Sequence, residues 1–262
     1  MYHVFFNFFY SFILIIFSMS FASAIEVKEN MVLIPSGKYT PLFKAGNEEF
    51  DYINVDSFYM DIYPVTNKDF KIFIDNNIEW NKEYIKEIFA DGNYLVQWDE
   101  LKFNDIYMKP VINVSWFAAS AYCNFYSKRL PTIDEWEYVA SASKNSPVGK
   151  DDPKFLQDVL NWYTGNQAES MMNIDSMNSN YWNIYGLHGV VWEWVQDFNS
   201  VILINTDAEG GGLEEVLFCG VAAIDAVDPA NYVAFMRFAF RNSLQANYAM
   251  SSLGFRCAKD IN

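Results

Sequence analysis

Three cysteines, Cys123, Cys219 and Cys257, are the residues best suited to redox or soft-metal chemistry in this 262-residue chain. Thiolates select copper(I) and zinc, and in an oxidising compartment they pair as disulfides. Three thiols allow one pair and leave one over, and spacing alone does not say which. Histidine is scarcer, with only His3 and His188. That excludes a three-histidine iron site and a histidine-rich zinc site within this chain. A Ser-His-Asp centre would have to use His188 as its base, and no local spacing supports one. Asn113-Val-Ser115 matches a glycosylation sequon, although it sits in a block that reads as core.

The N-terminus sets the compartment in which these thiols work. From Phe5 to Phe21 the chain is almost wholly apolar, with no Lys, Arg or acidic residue before Glu26, and the run ends in Ala22-Ser-Ala24. This pattern predicts a signal peptide over residues 1–24, cleaved after Ala24, and a periplasmic or secreted protein with no membrane span thereafter. An uncleaved anchor is the alternative, since the run is just long enough to cross a bilayer.

Residues 25–262 suit one large domain. Apolar residues make up 52% and aromatic residues 18%, which supports a sizeable core, and the net charge is −15. Nucleic acid and anionic membrane are themselves polyanions, so this charge excludes them as partners.

The elements that must position the chemistry are short. Residues 31–39 read as a strand broken by a Pro/Gly turn, and 55–63 as a second strand. Thr66 with Asp69 predicts a helix start, and Phe70, Phe73 and Ile74 give that helix an apolar stripe. Residues 76–108 read as an irregular insertion with one short helix. A helix follows from about Trp116, with Trp116, Ala119 and Cys123 on one face. Thr132 and Glu135 form a capping box for a helix reaching about Ala140. Residues 141–183 read as mostly loop, 207–212 as an acidic Gly-rich loop, and 232–240 as a short helix among strands. Short helices amid broken strands and long loops indicate an α+β fold.

Six blocks in order carry a resemblance. They are Met31-Val-Leu-Ile-Pro-Ser-Gly, Phe58-Tyr-Met-Asp-Ile-Tyr-Pro-Val-Thr-Asn67, Pro110-Val-Ile-Asn-Val-Ser-Trp116 with Ala121-Tyr-Cys123, Lys128-Arg-Leu-Pro-Thr-Ile-Asp-Glu-Trp-Glu-Tyr138, Gly189-Val-Val-Trp-Glu-Trp194 and Leu253-Gly-Phe-Arg-Cys257. The chain resembles the formylglycine-generating enzyme, or sulfatase-modifying factor, family. That implies an irregular, loop-rich variant of the C-type lectin fold over residues 25–262. It also implies a structural disulfide between Cys123 and Cys257, and the oxidation of a client cysteine by oxygen at copper held between two thiolates.

Counting back without gaps from Arg241 puts the two thiol positions on Asp228 and Val233. Neither residue is a thiolate, so a copper site of the family type is not supported. Cys219 remains as a single thiol, either a redox-active or copper-binding group assisted by His188 or a Met, or a small buried apolar residue. The candidate catalytic set is therefore Cys219, Arg241 and Asp228. Trp192, His188 and Arg237 are candidate pocket residues, and residues 216–241 the expected pocket wall. Glu193 corresponds to a family calcium ligand, or otherwise pairs with an Arg or caps backbone amides. Two functions compete: a divergent maturation or accessory factor for an exported client protein or metal centre, and a non-catalytic lectin-like module binding a protein or small ligand.

Overall fold

The computed structural model describes residues 30–40, 52–164, 172–199 and 229–261, with side chains in the last stretch described from residue 236. The expected signal peptide, Cys219, Asp228 and the Gly-rich loop at 207–212 lie outside these residues. Val233 falls in a part of a helix whose side chains are not described.

Small antiparallel sheets frame the molecule. Strand β1 (Met31–Ile34) and β2 (Gly37–Tyr39) flank the Pro35-Ser36 break. Strands β3 (Ile53–Val55) and β4 (Phe58–Asp61) follow, so the second expected strand is also two. Strand β1 pairs with β4, and β2 with β3.

Helix α1 (Asn67–Asn76) begins where Thr66 accepts the Asp69 amide, and it buries Phe70, Phe73 and Ile74. The segment read as an insertion with one helix instead holds a 3-10 turn at Ile78–Trp80 and two one-turn helices, α2 (Gln97–Glu100) and α3 (Phe103–Ile106). Tertiary contacts hold them, because Asn67 takes the Trp98 indole and Gln97 amide on its Oδ1 and gives its own amide to the Ile106 carbonyl.

Helix α4 (Trp116–Phe125) starts at Ser115, whose hydroxyl accepts the Ala118 amide. Asn113 is buried, sits at φ 55° and donates to the Ala249 carbonyl, so the sequon is a core turn closed to a glycan. Helix α5 (Ile133–Ala140) carries the full capping box of Thr132 and Glu135.

The stretch read as loop contains a 12-residue helix, α6 (Pro153–Thr164). Its start is a capping Asp152, which accepts the Phe155 amide, followed by Pro at the first helical position. It packs against helix α7 (Pro229–Asn242), longer than the short helix expected over 232–240. Strand β5 (Trp192–Glu193) runs parallel to β6 (Leu253–Gly254), and β7 (Ala258–Asp260) completes the β1-β4-β7 sheet. Gly254 is required in β6 because a Cβ there would lie 2.5 Å from the Val111 carbonyl oxygen, which is backbone and cannot yield. The fold is α+β with little regular structure. No helix among the described residues is long and apolar enough to cross a membrane.

Cys123 of α4 and Cys257, before β7, are joined by a disulfide across 134 residues and are fully buried. A loop of that length gives about 4–5 kcal/mol in the chain-entropy treatment. Beside it lies the central ion pair, Glu193 with Arg256, both side chains 0% exposed. Arg256 sends Nε and Nη2 to Glu193 and its remaining donors to the carbonyls of Asp61, Ile62 and Tyr185. Glu193 takes the Trp136 indole N–H as well, at 2.7 Å.

Glu193→Gln strands the Arg256 charge in this interior and should lower the unfolding free energy by about 3–5 kcal/mol. Urea denaturation of the two proteins measures it, and a loss under about 1 kcal/mol would show the pair to be dispensable.

Candidate functional site

Glu137 follows Trp136 and Glu135 on α5, and α7 presents Arg237 and Arg241 one turn apart, on the same helix face. Both guanidiniums close on the one carboxylate. Arg237 donates through Nε at 2.9 Å and Nη2 at 2.6 Å, and Arg241 through Nη1 at 2.6 Å. Burial pushes the Glu137 carboxyl up, but Arg237 and then Arg241 outweigh it and hold the value at about 2. The carboxylate is therefore ionised throughout the ordinary pH range. The same guanidiniums lie over the Trp136 ring, at 5.7 Å for Arg237 and 5.0 Å for Arg241. Arg237 also hydrogen-bonds Tyr163 of α6, whose hydroxyl is pushed up to about 12, chiefly by burial.

Aromatic rings close the other side. Trp192 stacks on Phe240 of α7 at 4.0 Å and meets Trp162 and Tyr163 of α6 at 5.6 and 5.2 Å. The result is a narrow cleft between α5, α6, α7 and β5. It is lined by Trp136, Trp162, Tyr163, Trp192, Arg237 and Arg241, among others, and about 10 Å³ is open to the centres of water-sized groups. That is room for about one water.

The structure thus brings together Arg241, Arg237 and Trp192, three residues singled out from sequence, with Glu193 at the cleft wall. His188 stands behind it, its ring 5.9 Å from Trp136 and 6.4 Å from Tyr163. Cys123 and Cys257 do not line it. Of the expected wall at 216–241, the described part that lines the cleft is Arg237, Phe240 and Arg241. Sequence reasoning missed Glu137, Trp162 and Tyr163. The signals were present: a Trp-Glu in the capped α5, an Arg pair four apart, and a Trp-Tyr dipeptide at the end of an apolar stripe.

Both oxygens of Glu193, the residue matched to a calcium ligand, are bonded to Arg256 and one also to Trp136. Two of the three cysteines form the disulfide, and the described residues contain no group of three or more His, Cys, Asp or Glu side chains able to hold a metal.

His188 is held neutral. One ring nitrogen, Nε2, bonds the Ala140 carbonyl at 2.9 Å, which makes it the protonated one and leaves Nδ1 as a bare acceptor. Burial first, and Arg237 second, lower its value to about 4. A folded value below the ordinary 6.5 means that the unfolded chain takes up the proton first. The neutral imidazole's contribution to stability is thus complete above about pH 6.5 and is lost as pH falls through about 4. His188→Asn should therefore flatten the fall in melting temperature between pH 6.5 and 4, and an unchanged slope would place the titration elsewhere.

Residues 18–261 match the family described as "Sulfatase-modifying factor enzyme 1-like domain". A protein named serine/threonine-protein kinase pkn1, from Chlamydia pneumoniae, is 28% identical over 249 residues, which are 88% of this chain and 38% of that protein. The chain therefore spans under two fifths of the length of that relative. A protein named inactive C-alpha-formylglycine-generating enzyme 2, from Bos taurus, is 27% identical over 280 residues, covering 87% of each chain. Among solved structures, CarF has a TM-score of 0.53 at 16% identity, covering 88% of this chain and 98% of its own. PvdO from Pseudomonas aeruginosa has a TM-score of 0.52 at 17% identity, covering 88% and 94%. These two share the fold. The family match takes in the disulfide, the Glu193–Arg256 pair and every residue of the cleft, and the chain belongs to the sulfatase-modifying factor enzyme 1-like family.

Proposed function

We propose that this protein is an exported accessory factor of the sulfatase-modifying type that binds an exported client and does not oxidise cysteine. The observation that carries the reading is the loss of the thiol pair, with Asp228 and Val233 at its two positions and two of the three cysteines joined to each other. Oxygen chemistry at copper between thiolates needs two, and Cys219 alone is left. The Bos taurus relative named as inactive gives a precedent for the family fold without that activity. The chlamydial relative supports the same view, since a match to 38% of its length is what a binding module within a longer protein would give. Export rests on the apolar run before Ala22-Ser-Ala24 and accords with a disulfide that an oxidising compartment would keep.

The test incubates the purified mature protein with copper, oxygen and a sulfatase-type peptide containing cysteine, followed by mass spectrometry for the aldehyde. The expected result is an unmodified peptide, with copper binding the same in Cys219→Ala as in the parent. Aldehyde formation would overturn the non-oxidising reading. Peptide mapping of the exported protein should place its N-terminus at Ile25, and an intact Met1 would count against export by cleavage.

A further inference from the structure

Between α1 and α4 the surface carries an open groove of about 380 Å³, lined by Lys82, Ile85, Glu87, Asp91, Gly92 and Tyr94, among others. That volume falls within the roughly 300–1,000 Å³ typical of ligand sites. Its wall is fastened to the core. The Asp91 amide donates to the Asn247 carbonyl, Oδ2 of Asp91 accepts the Ala249 amide and Oδ1 the Asn93 amide, and the Tyr94 hydroxyl donates to the Trp80 carbonyl. Gly92 faces open space, since a Cβ there would meet nothing within 4 Å. The charge of the groove is negative. Asp91 keeps its charge while it accepts from neutral amides, and Glu87 is exposed with no ion-pair partner among the described residues. The lining cation, Lys82, is already paired with Asp99, and Lys86 is exposed and does not line the groove. Across residues 79–105 seven acidic side chains outnumber three basic ones. Large apolar groups stand uncovered in the same stretch of chain: Tyr84 is 60% exposed, Ile88 70% and Phe89 36%. Three such side chains within six residues, beside an open groove, mark a contact surface.

Resting on the binding role given above, we propose that this groove docks a segment of the exported client in which an Arg stands between apolar residues. The guanidinium sits against Glu87 and Asp91, and its apolar neighbours lie on Tyr84 and Ile88. Charge complementarity selects the cation, and the uncovered rings and aliphatic groups select what flanks it. A carboxylate has about four acceptor sites, so the two amides on Asp91 leave room for a charge-assisted bond. Other occupants match less well. Residues 200–228 of this chain, which lie outside those described, contain no Lys or Arg, and a second copy brings a net charge of −15 to an already acidic face. Nucleic acid and anionic membrane are repelled for the same reason.

The probe is the peptide acetyl-Leu-Arg-Phe-Arg-Leu-amide, with citrulline in place of both arginines as its neutral isostere. Each is titrated into the mature protein by calorimetry at fixed ionic strength. The arginine peptide should saturate and bind about fivefold or more tighter than the citrulline peptide, with the difference shrinking as salt is raised. Glu87→Gln removes one exposed charge and should weaken the arginine peptide by about twofold to fivefold. Gly92→Leu fills the groove where a side chain meets no neighbour, so it should keep the parent's melting temperature and weaken binding roughly tenfold or more. Equal binding of the two peptides, no saturation by the arginine peptide, or binding untouched by Gly92→Leu would each overturn the docking surface. A dimer in sedimentation that Gly92→Leu abolishes would give the groove to a second copy and overturn it as well. The peptide oxidation assay reports separately: an aldehyde there ends the non-oxidising reading, whereas a failure here ends only this docking surface.

Discussion

Arg256 is a full-length charged side chain with no exposure at all, and the centre of the molecule is arranged around what it needs. A guanidinium out of water must fill its donors or cost several kcal/mol. Glu193 fills part of that need from β5. The carbonyls of Asp61 and Ile62 at the end of β4, and of Tyr185 in the loop before β5, fill the rest. Three stretches far apart in sequence, at 61–62, 185–193 and 256, are thereby held together. The disulfide fixes the adjoining Cys257 to α4, so the C-terminal segment is fastened twice within two residues. With so little regular structure, these side-chain anchors do what a long strand ladder does in other folds.

The functional cleft inherits its geometry from that centre. Trp136 donates to Glu193 through its indole edge while offering its face to Arg237 and Arg241. One ring thus connects the structural ion pair to the cluster on α7. Glu137, the next residue, accepts from both α7 guanidiniums. The central pair is wholly buried, whereas Glu137, Arg237 and Arg241 each keep slight exposure at the cleft.

Sequence reasoning reached what is local or periodic. Thr66, Ser115 and Thr132 announce their helices through a side-chain oxygen three residues before the amide it accepts, a signal that needs no tertiary context. Helices α2 and α3 were beyond it because each is a single turn, too short for periodicity, and is held by Asn67 and Gln97 from outside. Helix α6 lies in a stretch rich in Asn, Ser and Asp, and that composition hid the stripe of Phe155, Val159 and Tyr163 behind its Asp-Pro start. Glu193 and Arg256 lie 63 residues apart, and the sequence offered an unnamed Arg partner only as an alternative to the calcium that the family resemblance implied.

The frame described here is built without the positions at which the family resemblance implies the thiols. The disulfide, the Glu193–Arg256 pair and the capped helices use none of the residues at positions 219, 228 or 233. The described residues form a frame with an aromatic cleft lined by Arg237 and Arg241, and the buried Trp162 indole N–H has no partner among those residues. Fold and function are thus separable in this chain along a physical line, between polar groups that satisfy one another and those that still need a partner.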